Sequence, residues 1–163
     1  MMKVAKFPLA VALTMLAAFM GCASAPGPTH AVKPYWMPNQ EKGRSLLAGR
    51  WYGSSSLREG GKREWLMERR IDGTFTVKFR VTDATGKPGD QVEAGYWGFS
   101  GGILYTITRE ILRGDRFHEV DTRNATFNDA YTFTEMTYNR LRYRSIDTEA
   151  EYAVERVSAD FKL

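Results

Sequence analysis

Cysteine is almost absent from this chain of 163 residues. Cys22 stands alone, which excludes an internal disulfide and a multi-cysteine metal site. Histidine is nearly as scarce. His30 and His118 lack the cysteine or carboxylate spacing that a metal site needs, so no metal and no cofactor is expected. An excess of one charge is missing too. The formal net charge of +4 includes Lys3 and Lys6 near the start, and the rest of the chain carries 21 basic against 19 acidic residues. A nucleic-acid binder concentrates its basic residues in a patch or stripe, so no nucleic-acid partner is expected. Ser54, Ser55 and Ser56 follow a strand start rather than forming a nucleophile elbow. Nothing else arranges an acid, a base and a nucleophile, so the sequence is not read as an enzyme.

A run long enough to span a membrane is also lacking. Residues 7–20 are apolar except for Pro8 and Thr14, which is too short for a comfortable span. With Lys3 and Lys6 before it and small residues after it, the segment 1–21 has the layout of a secretory signal. Its end, Phe19-Met20-Gly21-Cys22, resembles the lipobox of bacterial lipoproteins, Phe19 being larger than the usual residue there. That resemblance implies a lipoprotein whose first mature residue, Cys22, is diacylated and N-acylated. Several alkyl chains at ~0.8 kcal/mol per buried CH₂ would make the membrane anchor effectively permanent. The expected location is the bacterial cell envelope. Ala23 after the cysteine, rather than Asp, resembles the sorting choice for the outer membrane, facing the periplasm.

Residues 22–48 read as a tether. Pro26, Pro28, Pro34 and Pro38 keep it from being helical throughout. Tyr35, Trp36 and Met37 form an apolar cluster between two prolines, to be packed back on the domain or offered to a partner or to headgroups. Asn39 is placed to cap a short helical turn through Leu47, with Gly43 limiting its stability.

From Gly49 the pattern changes to period two, with turn signals at short intervals. Eight strand candidates follow: 50–58, 63–70, 74–81, 92–100, 103–112, 130–136, 140–145 and 150–157. Short links force antiparallel neighbours. The two longer links, 82–91 and 113–129, are the candidate rim loops. Eight such strands can close into an up-and-down barrel over residues 49–157, an all-β domain followed by a short tail, 158–163.

Three hairpins fix registers. A three-residue loop Ile71-Asp72-Gly73, with Gly73 left-handed, pairs Arg69 with Phe75, Met67 with Val77 and Trp65 with Phe79. A four-residue loop after Ser145 pairs Tyr143 with Tyr152 and Leu141 with Val154, leaving Arg140, Arg142 and Arg144 beside Glu151 and Glu155. The Gly101-Gly102 turn pairs Tyr96 with Ile107 and Gly98 with Tyr105 on one face, and Trp97 with Thr106 and Phe99 with Leu104 on the other. Both of these faces are apolar, and the pattern does not say which is inside.

The barrel resembles the lipocalins, and more closely the short lipocalin-like domains of bacterial lipoproteins. The resemblance rests on Gly49-Arg50-Trp51-Tyr52 at the first strand, Asp72-Gly73-Thr74-Phe75 at a hairpin, Gly95-Tyr96-Trp97 in the fourth strand and Tyr152-Ala153-Val154-Glu155-Arg156 in the last. It implies that Trp51 packs at the closed end beneath Arg156, so that Gly49, Trp51 and Arg156 form a structural closure. Only six residues follow Val157, too few for the C-terminal helix of full lipocalins.

Two functions follow as expectations. In the first, the barrel binds or carries a small hydrophobic or amphipathic molecule in an aromatic cavity lined by Tyr96, Tyr105, Tyr131, Phe133 and Tyr143. Arg109 would orient an anionic group there, with Glu135 alternating onto the same face; the alternative places one or both in water at the rim. In the second, the barrel recognises a protein, as an envelope scaffold or, ranked lower, as a lysozyme-type inhibitor. Its surface would be Trp97, Phe99 and Leu104 or the Tyr35-Trp36-Met37 cluster. An enclosed volume of ~300 Å³ or more favours the first function.

Overall fold

The computed structural model describes residues 38–163. The signal segment, Cys22 and the Tyr35-Trp36-Met37 cluster lie outside the described residues. A helix, α1 (Gln40–Leu47), comes first, capped by Asn39, whose side chain accepts from the Lys42 amide at 2.9 Å. Nine strands follow: β1 (Gly49–Ser56), β2 (Lys62–Arg69), β3 (Thr74–Thr82), β4 (Pro88–Ser100), β5 (Ile103–Arg113), β6 (Arg116–Glu119), β7 (Asn128–Met136), β8 (Arg140–Ser145) and β9 (Glu151–Arg156).

Every pairing is antiparallel. β1 pairs with both β2 and β9, and β5 with both β4 and β7, so eight strands close on themselves and leave no edge within the barrel. β6 is the ninth strand. It pairs only with β5, through a tight turn at Gly114, and extends that hairpin beyond the barrel. The eight-strand barrel is therefore the expected one, and the longer links are corrected. The link at 82–91 shrinks to a five-residue turn, because Asp83 accepts from Thr85 and Lys87 while β4 starts at Pro88. The link at 113–129 contains β6 and a single 3-10 turn, Ala125–Phe127.

All three hairpin registers are those read from the sequence. The second hairpin turns on Gly73 at φ 91°, with Asp72 bracing it through bonds from the Thr74 amide and hydroxyl, both 2.8 Å. A side chain at this φ costs roughly 1–2 kcal/mol. Gly73→Val is accordingly expected to lower stability by at least that much in denaturant titration; an unchanged midpoint would contradict the turn.

The core is the barrel interior. Trp51, Leu47, Phe99, Leu104, Leu141 and Val154 are buried almost completely at one end, where α1 covers the barrel. Helix and barrel approach closely because Gly43 faces the Phe99 ring, where a Cβ would come within 2.1 Å. The tail folds back as well: Phe161 packs on Tyr52 at 5.1 Å, and Arg50 donates to the Ala159 and Phe161 carbonyls.

Candidate functional site

The two ends of the barrel differ in what fills them. At the α1 end the Trp51 indole donates to the Leu47 carbonyl at 2.9 Å. The Arg156 guanidinium lies 4.2 Å from the Trp51 ring centroid and 4.5 Å from that of Tyr138. The same guanidinium donates to the carbonyls of Leu46, Ala48 and Tyr138. These carbonyls belong to the last turn of the helix, the link into β1 and the β7–β8 turn, so one side chain ties three segments together. Burial lowers its pKa, and the cation–π contact and three acceptors compensate. Gly49 sits at φ 116°, and a Cβ there would meet Arg156 Nη1 at 2.2 Å. Glycine is required at this position for both reasons.

Above this packed end lies a small interior chamber of about 60 Å³. One wall is apolar, made by Met67, Val77 and Phe79 of β2 and β3. The other is polar. It carries Thr106, Thr108, Tyr131 and Tyr143 together with the carboxylates of Glu93 and Asp129. Thr108 donates to Glu93 at 3.1 Å and Thr106 approaches Asp129 at 3.5 Å. Burial, and then the Glu93 charge, raise the Asp129 carboxyl above the ordinary carboxylate range. Tyr131, Tyr143 and Tyr152 form a ring cluster with centroids 5.2–6.0 Å apart, and burial raises the Tyr131 and Tyr143 hydroxyls. The chamber also contains Arg69, only 3% exposed and next to the Arg70–Gly73 turn at the helix-covered end. Phe79 and Glu93 are partly exposed, so access comes from the opposite end.

No family model matches the sequence, and no curated protein matches it. Among solved structures the chain is similar to a lipocalin-like protein from Bacteroides uniformis, at 14% identity and a TM-score of 0.42, over 69% of this chain and 99% of that one. It is also similar to a de novo designed fluorescence-activating β-barrel, at 16% identity and a TM-score of 0.35, over 70% of this chain and 96% of that one. The architecture itself rests on the up-and-down strand order, the closure through β1–β9 and β4–β5, and the capped tryptophan at the sealed end. The fold is lipocalin-like.

Within this lipocalin-like barrel the residues singled out from the sequence separate into two groups. Tyr131, Phe133 and Tyr143 point inward, Phe133 into the packed end against Phe99 at 6.1 Å. Tyr96 and Tyr105 do not line the interior. They are 56% and 44% exposed on the outer wall, because alternation puts Trp97, Phe99 and Leu104 inside. Trp97, Phe99 and Leu104 are for the same reason core residues and not an outer docking patch. Arg109 is also outside. It falls where the β4–β5 register shifts beside Gly95, in an open groove of about 390 Å³ with Arg70, Thr76, Tyr96 and Glu119. A second register shift, between Phe133 and Glu135, turns Glu135 out of the face it would share with Phe133. There it pairs with Arg142 at 3.3 Å.

Sequence reasoning passed over Arg69, Glu93 and Asp129. The signal for Arg69 was available: the chosen register already set it opposite Phe75, on the apolar face of β2.

Proposed function

We propose that the protein is a non-catalytic binding barrel, held on a bacterial envelope membrane through an acylated Cys22, that takes a small amphipathic molecule into its interior chamber. The observation that carries this reading is the chamber's division into an apolar wall of Met67, Val77 and Phe79 and a polar wall of hydroxyls and carboxylates. A ligand with both characters satisfies both walls, whereas a purely hydrophobic one would strip water from the polar wall without replacing its hydrogen bonds. Size narrows the class further. A volume of about 60 Å³ does not reach the ~300 Å³ that would favour a carrier of a whole hydrophobic molecule. The ligand is therefore a molecule of a few heavy atoms, or the end of a larger one entering from the open rim.

Trp65 lies edge-on to Tyr152 at 6.0 Å, beside the tyrosine cluster, and reports on the chamber. Titrating the protein with short amphiphiles is expected to give a saturable change in tryptophan fluorescence. Thr106→Phe, which fills the chamber from its polar wall, is expected to abolish it. No saturable change, or an equal one in Thr106→Phe, would remove the chamber from consideration.

A second reading, a barrel that docks a protein, is favoured by the exposed Tyr96 and Tyr105 beside the Arg109 groove. Under that reading Tyr96→Ala weakens partner binding and Thr106→Phe leaves it intact.

A further inference from the structure

Arg69 is a buried guanidinium with too few partners. Its Nε and Nη1 are fully buried and have no hydrogen-bond partner, and no ion pair reaches it among the described residues. Only the Tyr143 hydroxyl is within hydrogen-bonding reach, and the other electrostatic influence on it is a second phenol, Tyr131. Leaving a charge in this condition is unfavourable, since neither the Coulomb attraction of a counter-charge nor the missing hydrogen bonds offset its desolvation. Guanidinium stays protonated even when buried, so it does not escape by neutralisation. The neighbouring carboxylates do not provide relief. Glu93 is engaged by Thr108, and Asp129 by Thr106. Arg50 also has a buried Nε without a partner, but its two terminal nitrogens are satisfied by the C-terminal tail. Arg69 is the exceptional one.

We infer that Arg69 is the anion-binding floor of the chamber and that its ligand is a short-chain monocarboxylate of the formate-to-propionate class. This rests on the reading of the chamber as a ligand site and names the ligand's chemistry. Three features select the class. The unpartnered N–H groups call for an oxyanion acceptor, and charge-assisted bonds of this type are about twice as strong as neutral ones. The volume of about 60 Å³ leaves room for a group of only a few heavy atoms, which excludes bulky polyanions and any long acyl chain held wholly inside the chamber. Glu93 and Asp129 line the same chamber and penalise a second negative charge on the ligand, so a monoanion enters at lower cost. Met67 and Val77 then face the methyl or ethyl group.

The test is thermal unfolding of the full chain and its Arg69→Met variant in increasing acetate, with acetamide as the neutral isostere and ionic strength held constant. Acetate at about a hundred times its Kd should raise the wild-type melting temperature by several degrees. Acetamide should not, and Arg69→Met should lose the acetate response. Arg69→Gln, which keeps a polar side chain, serves if the methionine variant does not fold. An equal acetate response in wild type and variant would overturn the inference. So would an equal response to acetate and acetamide in the wild type, although the chamber would then remain a ligand site. Response to neither compound, together with no fluorescence change for any amphiphile, would overturn both the inference and the chamber reading.

Discussion

Trp51→Ala is expected to lower the stability of the barrel by about 3–5 kcal/mol, the range for removing a large buried aromatic side chain. Trp51 is 0% exposed, so the whole indole leaves a cavity at the sealed end. The loss is not confined to apolar contact. The indole N–H holds the Leu47 carbonyl, and the ring face receives Arg156. Without the ring, Arg156 keeps its three carbonyl acceptors and the Tyr138 face but loses the buried one of its two aromatic contacts. Denaturant titration reads the result: the midpoint falls while the slope stays constant, as expected for a change in stability without a change in the surface exposed on unfolding. A shift below about 1 kcal/mol would mean that the sealed end collapses around the gap at little cost.

The second large effect concerns Gly43, where two arguments disagree in sign. From helix propensity alone, Gly43→Ala should stabilise α1 by about 1 kcal/mol. Packing against Phe99 outweighs it. A Cβ at position 43 would sit 2.1 Å from the Phe99 ring, which is 1% exposed and packed in the core. Either the ring or the helix must shift, and overpacking of this kind costs typically 1–3 kcal/mol. Gly43→Ala is therefore expected to destabilise by up to about 2 kcal/mol once the two effects are combined. Ser45→Ala, at an exposed position of the same helix, should stabilise slightly. If Gly43→Ala raised the denaturation midpoint as Ser45→Ala does, α1 would not be seated against Phe99.

The sequence could be read reliably where a turn and an alternating pattern constrained each other. The Ile71-Asp72-Gly73 loop and the Gly101-Gly102 turn each fixed a register, because a one-residue slip exchanges the two faces of a strand. What could not be read was which face of β4 and β5 is inside. Tyr96 and Tyr105 are as large and apolar as Trp97 and Leu104, so the hydrophobic pattern is degenerate there. The choice is made by β3, whose inward Phe75 pairs with Gly95, and that pairing is separated from the hairpin by a turn that looked like a long loop. The two register shifts, beside Gly95 and before Glu135, follow from local backbone geometry and leave no mark in alternation. Glu135 departs from its expected face for that reason, whereas Arg109 lies outside with Tyr105 because the other face of β5 is the inner one.

Arg69 illustrates a different difficulty. Its register was right and its neighbours were read as apolar, so the one charged residue on that face was absorbed into the core. A charged side chain on the inward face of a strand is expensive, which makes it more informative than the aromatic residues around it. The chamber it occupies shifts the functional reading from an aromatic cavity for a hydrophobic molecule to a small, two-sided site with a cation at its inner end.

That shift can be tested without assuming the physiological ligand. Crystals of the protein grown or soaked in bromide, with data collected at the bromine absorption edge, would locate any small monoanion directly. An anomalous peak is expected inside the barrel, within hydrogen-bonding distance of Arg69 Nε or Nη1, and should disappear in Arg69→Met. Bromide found only at surface arginines such as those of the Arg70–Arg109 groove, with the interior unoccupied, would contradict it.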